Sequence, residues 1–406
     1  MNRRHFFYTT GFFIGSTQLP GAIVRAMHPI NSDMYLNNLL AALPAEVIIQ
    51  SLDIRNFKDH FYIICRSNEG AEGIAFCNDN QIPFFHLLEK RIFPHFIKQD
   101  ARNIPALIDR CYKSNYKLSG LPFWNSIGHL ELSLWDMMGK TAGKPVAQLI
   151  GKPLRSAIPV YLSSLRRDTT PEEEVAALQR RLEETGARAV KIKIGGRMSN
   201  NADAAPGRTG KLIELARKTL GDSVTLYADA NGSYTSEYAI TIGKMLEAQG
   251  FSFYEEPCPW EEFTATKAVA DALTIAVAGG EQDTSMPHFE YMIKNRVLDI
   301  VQPDIVYNGG IYRNLQVARI AAENNMLITP HCPKNDMRSA FMLHFAASVS
   351  NIGPFMEYYM QKPPDKSWYA PIPTVKNGTI SIPSGPGFGI TYDEEVFQKS
   401  VSICGR

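Results

Sequence analysis

The sequence predicts an α/β protein in which a closed barrel follows a smaller α+β module. The first observation is length, because 406 residues exceed one small domain and suit a large barrel with a second module. The second is rhythm: from about residue 157 onward, short apolar strands alternate with amphipathic helices. Eight such strands imply a parallel sheet, and at this chain length a closed barrel.

The residues ahead of the barrel, about 27–150, are expected to form the α+β module. The stretch "AEVIIQSLDIRNFKDHFYIICRSNEGAEGIAFC" alternates apolar and polar residues, which predicts a three-stranded meander with a turn at residues 68–70. The connection between its first two strands is expected to be short and to lie near residues 54–57. From about residue 84 the spacing becomes helical, as in "SIGHLELSLWDMMGKTAGKPVAQLIG".

The barrel is expected over residues 151–370. Its predicted strands are "IPVYLSSL", "AVKIKI", "VTLYADAN", "FSFYEEP", "TIAVAGGE", "LDIVQPD", "MLITPH" and "GPFMEYY". Amphipathic helices such as "PEEEVAALQRRLEETG" separate them. The remaining segment, 371–406, carries the hairpin signal Asn377-Gly378 and is expected to return to the N-terminal module and pack on it.

The first 26 residues differ from the rest of the chain. Arg3 and Arg4 precede a mostly apolar stretch that ends in the small residue Ala26, a pattern typical of an export signal. Because Phe6 and Phe7 follow the paired arginines, the segment resembles a twin-arginine signal, which predicts export to the bacterial periplasm. A generic signal or anchor with adjacent arginines by chance is the alternative.

The composition excludes several kinds of partner. The formal net charge is +1, so no basic footprint suggests nucleic-acid binding. No uncharged run of 18 residues follows the signal, so no membrane span is expected once the signal is removed. The six cysteines show no C-x-x-C spacing and are expected to be mostly small buried apolar residues.

Ionisable residues end every predicted barrel strand from the second to the eighth. In chain order they are Lys191, Lys193, Asp229, Glu255, Glu256, Glu281, Asp304, His331 and Glu357. Each gap from one strand end to the next matches one strand–helix unit. Barrel active sites lie at the C-terminal ends of the strands, so the pattern predicts one shared site. Lys191 and Lys193 are two residues apart and therefore point to the same face of their strand.

Three of these strand ends predict a metal site. Asp229, Glu255 and Glu281 end consecutive strands, and three such carboxylates cannot remain ionised together without a cation. Ligation by oxygen alone favours a hard divalent ion, and Mg²⁺ leaves positions open for substrate oxygens. The lysines on one side of the metal and His331 on the other would be two candidate bases.

Each residue taken alone also has a structural explanation. Asp304 could cap the following helix, and His331 could be a loop histidine with satisfied hydrogen bonds. Glu256 is expected to be structural, because strand alternation turns it away from Glu255. The joint pattern, rather than any single residue, favours a functional site.

The motifs resemble those of the mandelate racemase subgroup of the enolase superfamily. "LSLWDMMGKTAGKPVAQLIG" is similar to the helix that ends the family's capping domain, and "VKIKIGG" to its K-x-K motif. "DAN", "EEP" and "GGE" are similar to its metal-ligand motifs, and "PHCP" with "QPDIVYNGGI" resembles its His–Asp dyad. The resemblance covers nearly all of the chain after the signal. It implies a modified TIM barrel, (β/α)7β, with an N-terminal α+β capping domain.

The resemblance also implies a role for each matched residue. One Mg²⁺ per subunit would be held by three ligands: Asp229, Glu255 and Glu281. Lys193 would be the base on one face of the substrate, and His331 the acid or base on the opposite face. Asp304 would orient the ring of His331 and raise its basicity.

Three further residues are expected to contact a small carboxylate substrate. The resemblance implies that Lys191 and Glu357 bind the substrate carboxylate. Asn231 points the same way as Asp229, and either touches substrate or supports the fold by a hydrogen bond. The family resemblance also implies a homo-oligomer.

The first functional hypothesis is dehydration of a sugar acid to a 2-keto-3-deoxy acid, because both a lysine and a histidine are present. Racemisation or epimerisation at the α-carbon and cycloisomerisation are alternatives, since the same bases serve all three reactions. A hypothesis of another class is a non-catalytic periplasmic binder of acidic sugars. The intact set of ionisable residues argues against this binder.

Overall fold

The computed structural model describes residues 32–405. The export signal predicted at residues 1–26 lies outside this range and stays a prediction. Within the described range, no helix is long and apolar enough to cross a membrane. All six cysteines lie in this range as free thiols, and five of them are buried, as expected from their spacing.

The N-terminal module combines helices with an antiparallel sheet. Its main elements are α1 (Ser32–Ala42), β1 (Ile49–Phe57), β2 (His60–Ser67), β3 (Glu72–Phe76), α2 (Ile104–Asn115), α3 (Leu121–Ala142) and α4 (Val146–Ile150). Strands β1, β2 and β3 form the predicted meander. Helix α3 is buried along most of its length because it packs on β2 and β3 on one side and meets the barrel on the other.

The connection between β1 and β2 differs from the prediction. Residues 54–57, where the connection was expected, continue strand β1. The turn lies at Lys58 and Asp59, whose φ angles are +49° and +63°. Two successive left-handed residues give the turn the twist that antiparallel strands require. The sequence signal is weak here because neither residue is glycine or asparagine.

The second module is the predicted barrel. Its elements are β4 (Ala157–Ser163), α5 (Pro171–Thr185), β5 (Ala189–Lys193), α6 (Arg208–Leu220), β6 (Thr225–Asp229), α7 (Ser236–Ala248), β7 (Phe253–Glu255), α8 (Phe263–Ala272), β8 (Ala276–Gly279), α9 (Met286–Lys294), β9 (Ile300–Val301), α10 (Ile311–Glu323), β10 (Leu327–Ile328), α11 (Ser339–Ser348) and β11 (Met356–Tyr359). The strands pair in parallel in the order β10-β9-β8-β7-β6-β5-β4-β11. A parallel bridge joins Ile328 of β10 to Ile352, four residues before β11, and so brings the two ends of the sheet together. The (β/α)7β prediction is therefore confirmed for the described residues.

The C-terminal segment contacts both modules. It contains β12 (Tyr369–Ala370), β13 (Thr379–Ser381), β14 (Thr391–Tyr392), α12 (Glu394–Lys399) and β15 (Val401–Gly405). Strand β13 pairs with β4 of the barrel, which the sequence did not predict. Strand β15 pairs with β1, so the sheet of the N-terminal module has four strands rather than the three of the meander. The domain boundaries at residues 150 and 370 stay predictions.

Candidate active site

The inner face of the barrel is layered. Successive strand residues point to opposite faces, so alternate positions line the interior. Tyr161, Tyr227 and Phe253 form an apolar layer with Ala189 and Ala278. The rings of Tyr227 and Phe253 stack with their centroids 3.8 Å apart. Two residues further along β5, β6 and β7, the same alternation points ionisable side chains inward, above this apolar floor.

Strand register places the first of these charges side by side. Lys193 is paired with Asp229 on the next strand, and Asp229 is paired with Glu255 on the strand after it. Lys193 Nζ donates a hydrogen bond to Asp229 Oδ2. Lys191 Nζ lies 2.8 and 2.7 Å from the two carboxylate oxygens of Glu255. Carboxylates on β6 and β7 therefore compensate the charges of the two buried, inward-facing lysines.

The charges of Lys191 and its partners stabilise one another. Burial opposes ionisation of Lys191, but Glu255 and Glu357 hold the pKa of its ammonium group well above the ordinary value. Burial likewise opposes ionisation of Asp229, but Lys193 and Lys191 hold the pKa of that carboxyl well below its usual range. Lys191 and Asp229 are thus ionised together over a wide range of pH.

Asp229, Glu255 and Glu281 form the predicted carboxylate cluster. One oxygen of each carboxylate lies within 4.8 Å of the other two, and all three residues are buried. Burial, reinforced by Asp229 and Glu281 and opposed by Lys191, raises the pKa of Glu255 to about 8. Glu281 Oε2 is buried and accepts no hydrogen bond. Three buried carboxylates crowded in this way fit a hard divalent cation.

Asp304 links a backbone turn to the ring of His331. Its Oδ1 accepts hydrogen bonds from the backbone N–H groups of Val306 at 2.7 Å and Tyr307 at 2.9 Å. Its Oδ2 lies 2.7 Å from His331 Nδ1. Asp304 therefore caps this turn rather than the following helix, which starts at Ile311, and it also contacts the histidine ring. Its role in catalysis stays a prediction.

The second ring nitrogen of His331 faces the carboxylate cluster. His331 Nε2 lies 3.3 Å from Glu281 Oε2. Burial opposes charge on the ring, but Glu281, the hydrogen bond with Asp304 and Glu357 raise the pKa of His331 to about 10. The cluster thus has a lysine against Asp229 and a histidine against Glu281, as the order of the strands predicts.

Ser163 ends the first barrel strand, where the sequence analysis assigned no residue to the site. Its Oγ donates a hydrogen bond of 2.7 Å to Glu357 Oε1, and the backbone N–H of Cys332 donates one of 2.9 Å to Glu357 Oε2. Lys191 Nζ lies 2.9 Å from Glu357 Oε1. Because Ser163 lies near the end of the predicted strand "IPVYLSSL", its position alone could have predicted it as a site residue.

Arg167, in the loop after β4, is a second residue that the sequence analysis missed. Its Nη2 lies 2.9 Å from Asn231 Oδ1, and its Nε donates a 3.0 Å hydrogen bond to the backbone oxygen of Gly195. Lys193 Nζ donates to the same Asn231 oxygen at 3.2 Å. Nothing in the sequence around Arg167 distinguishes it from a solvated loop arginine, because its partners come from other strand ends.

Asn231 and Glu256 support each other beside the cluster. Asn231 Nδ2 donates a 3.2 Å hydrogen bond to Glu256 Oε2, and its backbone N–H donates one of 2.8 Å to Asp229 Oδ1. Both residues have left-handed backbones, with φ angles of +43° and +41°. The fold-supporting role of Asn231 is therefore present in the structure, while its contact with substrate stays a prediction. Glu256 is buried and takes part in this network.

Two family models match the chain. The Mandelate racemase / muconate lactonizing enzyme, N-terminal domain matches residues 54–151, and Enolase C-terminal domain-like matches residues 173–396. The fold and the strand-end motifs define a capped α/β barrel of the enolase superfamily. Within it, the chain belongs to the mandelate racemase subgroup, which confirms the resemblance seen in the motifs.

Curated relatives of known activity cover most of the chain. Arabinonate dehydratase of Saccharolobus solfataricus is 28% identical over 316 residues, which are 77% of this chain and 82% of the relative. L-talarate/galactarate dehydratase of Salmonella typhimurium is 26% identical, covering 84% of this chain and 82% of the relative. D-galactarolactone cycloisomerase of Agrobacterium fabrum is 29% identical, with coverages of 66% and 72%. The protein is therefore an enzyme of the dehydratase or isomerase type.

Solved structures show the same fold. A protein of Roseobacter denitrificans superposes with a TM-score of 0.84 at 32% identity, covering 88% of this chain and 99% of that protein. A mandelate racemase/muconate lactonizing protein from Paracoccus denitrificans, complexed with magnesium, has a TM-score of 0.81 at 24% identity and the same coverages.

Proposed function

We propose that the protein is a Mg²⁺-dependent dehydratase that converts a sugar acid into a 2-keto-3-deoxy acid. The observation that carries the proposal is the position of two proton carriers at different carboxylates of one cluster. Lys193 contacts the cluster at Asp229, and His331 contacts it at Glu281. The names of the arabinonate and L-talarate/galactarate dehydratases support a sugar acid as the substrate.

The carboxylate cluster would hold one Mg²⁺ ion per subunit through Asp229, Glu255 and Glu281. The magnesium in the Paracoccus denitrificans structure supports this metal. When bound, Mg²⁺ supplies a Lewis acid that stabilises the negative charge developing on the substrate carboxylate as the α-proton leaves. Gln302 Nε2 donates a 3.0 Å hydrogen bond to Glu255 Oε2 and so orients that ligand.

The side chains flanking the cluster move the protons. Lys193 or His331, whichever is in its neutral form, takes the α-proton, the C–H electron pair forms a C=C bond, and the bond to the β-oxygen breaks. His331 gives a proton to the departing hydroxyl group, which leaves as water, and the enol product tautomerises to the keto acid. Asp304 occupies Nδ1 of His331, so Nε2 is the nitrogen that faces the cluster.

Lys191 would bind the substrate carboxylate, and Glu357 would either bind it or orient Lys191. Burial opposes ionisation of Glu357, yet Lys191 and His331 lower the pKa of its carboxyl to about 2. An ionised carboxylate only accepts hydrogen bonds and repels a second carboxylate. The contacts of Glu357 support a role in which it holds Lys191 Nζ at 2.9 Å, while Ser163 Oγ donates a hydrogen bond to Glu357. Direct contact with a substrate carboxylate would need Glu357 in its protonated form.

Cycloisomerisation is the second candidate function. The D-galactarolactone cycloisomerase of Agrobacterium fabrum supports it, because that relative is as similar to this chain as the dehydratases are. The same two proton carriers would serve, with an oxygen within the substrate as the leaving or attacking group.

A screen of sugar acids with Mg²⁺ in D₂O tests the proposal. Formation of a keto acid that reacts with semicarbazide supports dehydration. If no keto acid forms, a new diastereomer would show that the reaction is epimerisation, and a rearranged lactone would show that it is cycloisomerisation. Either product would overturn dehydration. Retained ligand binding without exchange of any α-proton across the library would instead favour a non-catalytic sugar-acid binder.

A further inference from the structure

Helix α3 of the capping module lies directly against the segment that follows Asp304. A Cβ atom added to Gly128 of this helix would come within 2.2 Å of the backbone oxygen of Val306. A Cβ atom added to Gly310, at the other end of the same segment, would come within 2.1 Å of Glu131 Oε2. Only glycine allows this approach at either position. The segment that positions Asp304 is thus in contact with α3 at both of its ends.

Glu131 holds the start of α10 from this neighbouring helix. Its Oε2 accepts a 2.8 Å hydrogen bond from the backbone N–H of Ile311, and its Oε1 accepts one of 2.8 Å from that of Tyr312. Trp135 Nε1 donates a third hydrogen bond, of 2.7 Å, to Oε1. The first backbone N–H groups of a helix have no partner within the helix, and the Glu131 carboxylate accepts hydrogen bonds from two of them. Glu131 is only 1% exposed, so water does not replace these bonds.

The first residues of α10 hold the backbone near Asp304. Asn314 Nδ2 donates hydrogen bonds to the backbone oxygens of Gly310 at 2.7 Å and Ile305 at 3.2 Å. The backbone N–H of Asn308 donates one of 3.1 Å to the backbone oxygen of Asp304. Hydrogen bonds and the short backbone segment of residues 305–311 therefore connect Glu131 to Asp304.

We propose that Glu131 is a positioning residue for the Asp304–His331 pair. By fixing the N-terminus of α10, it fixes the segment that directs Asp304 Oδ2 toward His331 Nδ1. The capping module thereby takes part in aligning the proton carrier of the barrel. The effect on turnover rests on the proposed function, whereas the effect on the His331 ring does not.

Asp136 provides a matched control on the same helix. It is also a buried carboxylate of α3, and it also accepts two backbone hydrogen bonds, from Ile74 and Phe388 at 2.9 Å each. Neither donor belongs to the segment around Asp304. Loss of either carboxylate weakens the packing of α3, but only Glu131 is bonded to the segment that aligns His331.

Kinetics of Glu131→Gln compared with Asp136→Asn test the proposal on a sugar acid found by the screen. Glutamine keeps the shape of Glu131, but one of its two terminal groups is an NH₂ group, which cannot accept a hydrogen bond. At least one of the three hydrogen bonds from Ile311, Tyr312 and Trp135 is therefore lost. We expect kcat of Glu131→Gln to fall about 10- to 100-fold with KM nearly unchanged. Asp136→Asn should keep kcat within about twofold of the unmodified protein. An equal loss of kcat in both variants, or no loss in Glu131→Gln, would overturn the proposal.

The NMR signal of the His331 ring Nδ1–H in the Mg²⁺-loaded protein gives a readout without substrate. His331→Asn and Asp304→Asn identify this signal. We expect it to shift upfield or broaden in Glu131→Gln and to stay in place in Asp136→Asn. An unchanged signal in Glu131→Gln overturns the proposal, even if no sugar acid is turned over and the proposed function fails. If Glu131→Gln does not fold, Trp135→Phe takes its place, because it removes one of the three hydrogen bonds to Glu131. We expect a smaller change in the same NMR signal. An unchanged signal in Trp135→Phe would overturn the proposal.

Discussion

Lys193 and His331 contact different carboxylates of the cluster, so their replacement should separate the two proton transfers. We expect Lys193→Ala to abolish exchange of the α-proton on one face of the substrate, and His331→Asn to abolish it on the other. The loss at the affected face should be about 10²- to 10⁴-fold, the usual contribution of a general acid or base. NMR of the exchange reaction in D₂O measures both faces.

Lys211→Ala is the control for this pair of variants. Lys211 is an exposed lysine that pairs with Glu172 on the outer surface, and its loss should leave exchange unchanged. Full exchange activity in Lys193→Ala would show that the base assignment is wrong.

Glu281 is buried and occupies the position of a metal ligand, with its Oε2 3.3 Å from His331 Nε2. We expect Glu281→Gln to weaken Mg²⁺ binding at least about tenfold, because a neutral amide oxygen replaces a charged ligand. Isothermal titration calorimetry of the purified protein measures this affinity. Asp283→Asn is a suitable control, since Asp283 is a buried carboxylate two residues away that accepts a hydrogen bond from the backbone N–H of Ser285, just before α9, and lies outside the cluster. Equal affinities in the two variants would remove Glu281 from the metal site.

Among the elements, helix α5 shows how local sequence sets a boundary of the barrel units. Thr170 Oγ1 accepts a hydrogen bond from the backbone N–H of Glu173, and the Glu173 carboxylate accepts one from the backbone N–H of Thr170. We expect Thr170→Ala to lower the free energy of unfolding by about 1 kcal/mol, because it removes this capping box. Urea unfolding measures the change. Thr170→Ser retains the hydroxyl oxygen, so a loss in the serine variant as large as in the alanine variant would contradict the capping explanation.

The elements also show where prediction from sequence is limited. The alternation of strands and helices fixed the positions of the barrel units, because each period is local to a few residues. The turn at Lys58 and Asp59 was misplaced, since left-handed conformations there have no glycine to mark them. The pairing of β15 with β1 joins residues about 350 positions apart, a distance over which local patterns carry no information on register.

At the scale of the whole molecule, His344 connects the barrel to the segments around it. Its Nδ1 accepts a 3.1 Å hydrogen bond from the backbone N–H of Ala147 in α4, and its Nε2 lies 3.1 Å from the backbone oxygen of Phe388. Burial lowers the pKa of His344 from 6.5 to about 4. The neutral ring thus joins three parts of the chain, and protonation would break the bond from Ala147.

The lowered pKa of His344 predicts how stability changes with pH. The unfolded chain binds a proton near pH 6.5 and the folded chain only near pH 4, so stability is full above pH 6.5 and falls as the pH drops toward 4. This residue should account for at most about 3 kcal/mol of that loss. We expect His344→Gln to lose less stability than the unmodified protein between pH 7 and pH 4.5, as measured by urea unfolding. His86→Gln, at an exposed histidine, should keep the full pH dependence. The same dependence in His344→Gln as in the unmodified protein would exclude His344 as the cause.

The sequence by itself determined the barrel, the family and the inward set of ionisable residues. Alternation along a strand points Lys191 and Lys193 to one face, and the length of one strand–helix unit returns the next carboxylate to the same end of the barrel. These relations are local and repeat along the chain. The cluster of Asp229, Glu255 and Glu281 follows from them without knowledge of any long-range contact.

Only the tertiary structure decided which other residues hold this set in place. Glu131 and Ile311 are 180 positions apart in the chain, yet they share a 2.8 Å hydrogen bond across the boundary between the two modules. Arg167 reaches Asn231 from a different strand unit in the same way. Such contacts depend on how buried surfaces pack together, and packing selects partners by shape and hydrogen-bonding need rather than by sequence spacing.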